Sequence, residues 1–190
     1  MARKERRAKV LAERKQQKKV KPPSLGELYG WMAGLLPPGG GRVLEVGPHL
    51  PGTMALEERG WHVVPVDAGA VLAPGEFHGQ TVDAVTCWLL EAPRGMPAVT
   101  EKLSAMGLRT PDETRLALQT LVYRLADRVL RPGGLLHVVD RVGNQLDEAL
   151  ATGVMRLQRA QAKGTTLEFA SIDAKPAGRG ALVSVRSRKG

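Results

Sequence analysis

At 190 residues the chain is long enough for one domain with a substantial core and too short for two large ones. Its single cysteine, Cys87, excludes an intrachain disulfide and any multi-cysteine zinc site, and no apolar run reaches the roughly 18 to 20 residues that span a bilayer. The formal charge of +9 is concentrated: residues 1–21 hold ten Lys or Arg against two acids, which leaves about +1 for the remainder. The expectation is a cytoplasmic protein, since no apolar signal core follows the charged start, with a basic arm over 1–23 and one domain over 24–190.

Residues 2–20 lack Gly and Pro and are rich in helix formers, but their apolar residues are too few for a packing stripe. They read as a solvated helix or a disordered arm, stopped by Lys21-Pro22-Pro23. Ser24 is placed to cap a helix carrying Leu25, Leu28, Trp31, Met32, Leu35 and Leu36 at helical spacing, and Glu27 completes a capping box. Val43 to Val46 forms a first strand, a helix follows over about 52–59, and Val63 to Val66 forms a second strand. Residues 68–81 carry Gly and Pro throughout, where a full doubly wound domain has a helix and a further strand; the sheet is therefore expected to be abbreviated here, or its third strand short.

Asp83 introduces a strand over Ala84 to Leu90, and 93–111 is a polar excursion punctuated by Pro and Gly. Thr110 caps a long helix, 112–130, that turns Leu116, Leu118, Leu121, Val122, Leu125 and Val129 to the core. Pro132-Gly133-Gly134 leads into a strand over Leu135 to Val139, and a helix spans about 144–163. Two alternating runs, Thr166 to Ile172 and Ala181 to Arg186, flank 175–180 and read as an antiparallel hairpin.

Three stretches stand out: RVLEVGPHLPG (Arg42 to Gly52), WHVVPVD (Trp61 to Asp67) and RVLRPGGLLHVVD (Arg128 to Asp140). In an open parallel sheet such strand ends lie side by side at the crevice where ligands bind. Their order and spacing, with the VDAV strand entry and the terminal hairpin, resemble the class I S-adenosylmethionine-dependent methyltransferases over about residues 24–188. The resemblance implies an α/β, doubly wound, mostly parallel sheet with an antiparallel C-terminal hairpin, a Rossmann-like methyltransferase fold, and S-adenosyl-L-methionine (SAM) as cofactor. A nicotinamide-binding Rossmann domain fits less well, because G-x-G-x-x-G is absent and its sheet continues in parallel.

Carried onto this sequence, the resemblance puts Glu45, Gly47, Pro48, His49 and Gly52 in the loop that curls beneath the amino acid part of the cofactor. His49 and Pro51 stand where the family has glycines, and Gly52 is displaced by one position. A Cβ restricts φ and holds the backbone off a ligand, so a purely structural turn in an inactive relative is the competing reading. Asp67, 22 positions after Glu45, matches the family's acid that takes both ribose hydroxyls, although an acid there equally caps a loop; Ala68 would lie beside the adenine.

The strand Ala84 to Leu90 delivers Cys87 and Trp88 to the position where the family places the methyl donor. Cys87 reads as a cofactor neighbour with a buried apolar thiol rather than a nucleophile, lacking the Pro-Cys context of cytosine C5 enzymes. Trp88 either walls an acceptor pocket or packs between helices. Asp140 is the candidate catalytic or acceptor-binding acid, with an ordinary loop acid as its alternative, and His49 is a general-base candidate. His49, His62, His78 and His137 have no metal-ligand spacing.

The basic arm can neutralise phosphates whatever the base sequence, though it has no aromatic residue to stack on bases, and a solubilising tail is its plain reading. Nucleic acid bound through residues 1–21, RNA ahead of DNA, is the first acceptor and partner expected. A small metabolite stands close behind, because the body is almost neutral. The competing class is a non-catalytic methyltransferase-like module tethered to RNA or a ribonucleoprotein by the arm.

Overall fold

The computed structural model describes residues 23–73, 77, 79–90, 97–143, 147–178 and 180–190; the arm over 1–22, His78 and the start of the polar excursion at 91–96 lie outside the described residues. Helix α1 (Leu25–Gly34) starts as its sequence dictates. Ser24 Oγ accepts the Glu27 N–H at 3.3 Å and Glu27 Oε2 accepts the Ser24 N–H at 2.6 Å, bonds that also hold the Glu27 carboxyl below its ordinary range. Its buried stripe is rotated from the one the apolar spacing predicts: Leu28, Tyr29, Met32, Ala33 and Leu36 are buried, while Leu25 is 61% exposed. Small Ala33 lets the helix approach closely, and Trp31 moves to the flank, where Lys175 Nζ lies 6.0 Å from its ring.

Strands β1 (Arg42–Val46), β2 (His62–Val66), β3 (Val82–Trp88) and β4 (Leu130–Val142) run parallel, and β5 (Leu167–Ala177) with β6 (Gly180–Lys189) makes the antiparallel hairpin, in the order β2-β1-β3-β4-β6-β5. Helices α1 and α2 (Leu50–Glu57) cover one face, packing Leu28, Met32, Leu36 and Leu56 on Val43, Ala84, Leu135, Val139 and Leu182. Helix α4 (Pro111–Val129) covers the other, packing Leu118, Val122, Leu125 and Val129 on Leu44, Val85, Leu136 and Val138. Leu116 and Leu121 are only half-buried.

The sheet is abbreviated as expected. Residues Ala68–Leu72 form a 3-10 helix and β2 is the edge of the sheet, which is why Pro65, with no N–H for a ladder, is tolerated there. Two elements depart from the sequence reading. Helix α3 (Pro97–Ala105) occupies part of the excursion, its short run of helix formers hidden by the Pro and Gly around it, with Gly107 at φ +81° after it. Strand β4 begins at Leu130 rather than 135: Val82 pairs with Leu130 and Ala84 with Leu135, so Pro132-Gly133-Gly134 is a bulge within the strand, with Gly133 at φ +77°. Helix α5 (Glu148–Gln161) starts later than expected, where Asp147 accepts the Leu150 N–H at 2.8 Å. The hairpin strands run longer than their alternation indicated, turning only at Gly178, φ +66°.

Polar side chains interrupt the apolar runs of the α1 face, and four of them lie in register: Glu45 beside Thr86, Thr86 beside His137, His137 beside Arg186. His137 is fully buried, accepting the Trp88 indole N–H at Nδ1 (3.1 Å) and meeting Ser184 Oγ at Nε2 (2.8 Å).

Candidate active site

Order β2-β1-β3 makes β1 the switch point of the sheet, with neighbours that follow it in the chain on both sides, and a crevice opens between the strand ends at such a point. Gly47 turns the chain out of β1 at φ +68°, a conformation that disfavours any Cβ, and its N–H bonds Val66 O at 2.8 Å, tying the loop to the end of β2. Pro48 is exposed and His49 precedes α2 as its cap residue, without a side-chain capping bond. Pro51 falls in the first helical turn, where its missing N–H is harmless, so the residue that departs from a glycine loop serves to start the helix.

Glu45 is only 2% exposed and lies under this loop. Its carboxylate accepts the Thr53 hydroxyl at 2.6 Å and the His49 backbone N–H; burial nevertheless pushes its pKa up. Gly52 is needed because a Cβ there would sit 2.8 Å from Glu45 Oε1 and 3.1 Å from the Tyr29 ring. Gly52→Ala should therefore cost about 1 to 3 kcal/mol in urea unfolding, the range for overpacking. Unchanged stability would show that Glu45 and Tyr29 retreat freely.

The apolar spacing of α1 gives no sign of Tyr29, yet this residue is buried between the β1 loop and β3. Its ring lies 6.1 Å from that of His49 and 6.3 Å from that of Trp88, joining the β1 loop to the end of β3. Leu89, the next residue after β3, adopts φ +53° and donates its N–H to Val139 O at 2.8 Å. It is the sole non-glycine with positive φ among the described residues, and such a conformation costs on the order of 1 to 2 kcal/mol.

Asp67 stands exposed at the end of β2, where Oδ1 accepts the Gly69 N–H at 2.6 Å and caps the 3-10 turn opened by Ala68; the loop-capping role is thus present, on an acid that also borders the crevice. Cys87 is sealed in the core on the α4 face and burial pushes its thiol up to about 12, so its side chain offers a ligand nothing. Trp88 is 1% exposed, so of its two readings the structure places it packed under α1, its N–H spent on His137. Asp140 is engaged by α4 and by its own strand end: Arg115 pairs with Oδ2, Gln119 Nε2 donates to Oδ2 at 3.2 Å, and the Arg141 N–H donates to Oδ1 at 2.8 Å. Gln119 in turn accepts from Gln161 at 3.3 Å, linking this acid to α5. No group of three metal-ligating side chains occurs among the described residues.

No protein-family model and no curated protein matches the chain. Solved structures match its fold. A SAM-dependent methyltransferase from Methanosarcina mazei is 12% identical, with 84% of this chain covering 96% of that one at a TM-score of 0.50. A methyltransferase solved in complex with SAH is 9% identical, with 84% of this chain covering 48% of that one at a TM-score of 0.54. A protein from Streptococcus thermophilus described as a hemolysin is 11% identical, with 90% of this chain covering 68% of that one at a TM-score of 0.54. At these identities the shared property is the fold, the Rossmann-like sheet of the SAM-dependent methyltransferases closed by an antiparallel hairpin.

Proposed function

We propose that this chain is a SAM-dependent methyltransferase that holds its cofactor across the ends of β1, β2 and β3 and modifies nucleic acid, RNA ahead of DNA. The observation that carries the reading is the switch point at β1, with the bare backbone of Gly47 on one side and the exposed carboxylate of Asp67 on the other. These residues fit the group: Gly47 sets no Cβ at the turn, and a carboxylate at the end of β2 suits a ribose diol. SAM bound there would supply an electrophilic methyl on a sulfonium.

The chain's own part is positioning. Glu45 fixes the loop through Thr53 and the His49 N–H, Tyr29 packs between loop and β3, and the backbone at Trp88 and Leu89 borders the donor end. Asp140, already bonded to Arg115, Gln119 and its own strand end, acts as a positioning residue that holds Arg115 at the rim rather than as a base. Transfer to a nucleophile with an available lone pair needs chiefly proximity and in-line alignment, so no general base is required of these residues.

The nucleic-acid assignment is supported by where α1 begins. Lys175 Nζ donates to Glu27 O at 3.3 Å, and Lys175 pairs through Leu182 with Arg141, just past Asp140. Helix α1 therefore starts at the crevice end of the sheet, and the ten basic residues within 1–21 precede it in the sequence. Titration calorimetry with SAM, SAH and NAD tests the enzyme reading: SAM and SAH should bind and NAD should not. Failure of both SAM and SAH to bind would overturn it, and binding without methyl transfer to RNA, DNA or a metabolite pool would favour the non-catalytic module.

A further inference from the structure

We infer that the end of the sheet opposite the crevice is a second contact surface for the phosphodiester backbone of RNA. The proposal rests on the nucleic-acid half of the proposed function, not on methyl transfer. Although the body carries a net charge of only about +1, the fold separates its charges. Six cations gather where the parallel strands begin: Arg124 and Arg128 on the last turns of α4, Arg131 at the start of β4, Lys163 just after α5, and Arg188 and Lys189 at the end of β6.

Their proximity follows from named contacts. Arg131 Nε pairs with Asp83 Oδ1 at 2.6 Å, Arg188 Nη1 donates to Gly133 O at 3.3 Å, and Lys189 Nζ donates to Asp127 O, the residue before Arg128. Thr166, three residues past Lys163, donates both its N–H (2.9 Å) and its hydroxyl (2.6 Å) to Asp127 Oδ1.

Glu57 and Glu58 lie at this end too, at the close of α2 beside the starts of β1 and β2; of the three acids nearest the cations, two are turned to internal work: Asp127 holds Thr166, and Asp83 takes Arg131 on one oxygen and the Arg42 N–H (2.7 Å) on the other. Glu168 is the third. Arg131 remains 63% exposed and Arg124, Arg128, Lys163 and Arg188 are exposed as well, so the forks of Arg131 and Arg188 are held in place while facing solvent. Helix-dipole complementarity accounts for a cation such as Arg128 at the end of α4. It gives no reason for Arg131, Arg188 and Lys189, which stand on strand ends.

Phosphate is the ligand such an array fits, since Arg pairs with it through two parallel N–H donors. The surface lies a strand's length, roughly 20 Å, from the crevice. It would therefore grip a part of a folded RNA that flanks the part at the site.

The test uses the full chain with Arg124→Glu and Lys163→Glu together, a change that leaves the ion pairs above intact, and a fluorescein-labelled RNA hairpin followed by anisotropy across a salt series. The expected result is a loss of at least about tenfold in affinity at low salt, and a log K against log salt slope shallower by about 1 to 2, the value when one or two phosphates are no longer neutralised. The SAM titration and the melting temperature should not move, which separates this surface from the methyltransferase reading. The same variant in a chain lacking residues 1–21 should remove most of the residual binding. Parental affinity and slope in the double variant would overturn the proposal. So would binding confined to residues 1–21, or a variant-sensitive affinity for phosphatidylserine vesicles with none for RNA.

Discussion

Unfolding free energy should fall by about 4 kcal/mol between pH 6.5 and pH 3 through His137 alone. The indole N–H of Trp88 is a donor only, so Nδ1 of His137 must accept it unprotonated, and Nε2 carries the proton donated to Ser184 Oγ. Protonation would set two N–H groups against each other and place a charge in a fully buried site. Burial first, and then the positive charge of Arg186, lowers the His137 pKa from 6.5 to about 3. Between those values the unfolded chain takes up a proton that the folded chain refuses. The stabilisation is therefore complete above the unfolded value and is lost as pH falls toward the folded one. Glu45 works in the opposite sense, because its raised pKa lets the folded chain take up a proton first just above the ordinary carboxyl value.

Urea unfolding of the parental chain and of His137→Gln at about pH 7 and about pH 4 isolates the histidine, since Gln can accept from Trp88 and donate to Ser184 without titrating. The parental chain should lose about 3 kcal/mol more than the variant over that interval. Parallel pH curves would mean that His137 is solvated, and that the β3 to β4 core is looser than its packing indicates.

What could be read from the sequence was what is local. Ser24 with Glu27, and Thr110 at the start of α4, announce their helices because a cap is a bond across three residues. Gly47 and Asp67 were legible because each ends an apolar run, and the missing strand after β2 showed as a segment without periodicity. The features that were hidden are tertiary. Leu89 carries no composition signal for a positive φ, which is imposed by its bond to Val139 in a strand 50 residues further on. The partners Trp88 and His137 stand 49 positions apart, and Tyr29 gains its place between the β1 loop and β3 only when α1 rotates to set Ala33 against the sheet. The near-neutral body concealed its basic end for the same reason: net charge is a sum over sequence, whereas a surface is a selection made by the fold.

The other large effect concerns Asp67. If its carboxylate holds the ribose diol of the cofactor, Asp67→Ala should weaken SAH binding about 10- to 100-fold, the equivalent of roughly 1 to 3 kcal/mol for a polar pair left unmatched. That variant also removes the bond from Oδ1 to the Gly69 N–H, so a weakened turn is a second route to the same loss. Asp67→Asn separates the two roles. Its amide oxygen can still accept the Gly69 N–H and keep the 3-10 turn, as Asn does in turns of this kind, but its other atom becomes a donor where a second hydroxyl needs an acceptor. Asn should thus hold the turn, with thermal stability close to the parental value, and still lose most of the SAH affinity by calorimetry. Parental affinity in Asp67→Asn would leave the acid with its turn alone, and cofactor recognition at the end of β2 would then have to rest on backbone groups around Gly47 and Gly69, which no side-chain substitution at Asp67 could disturb.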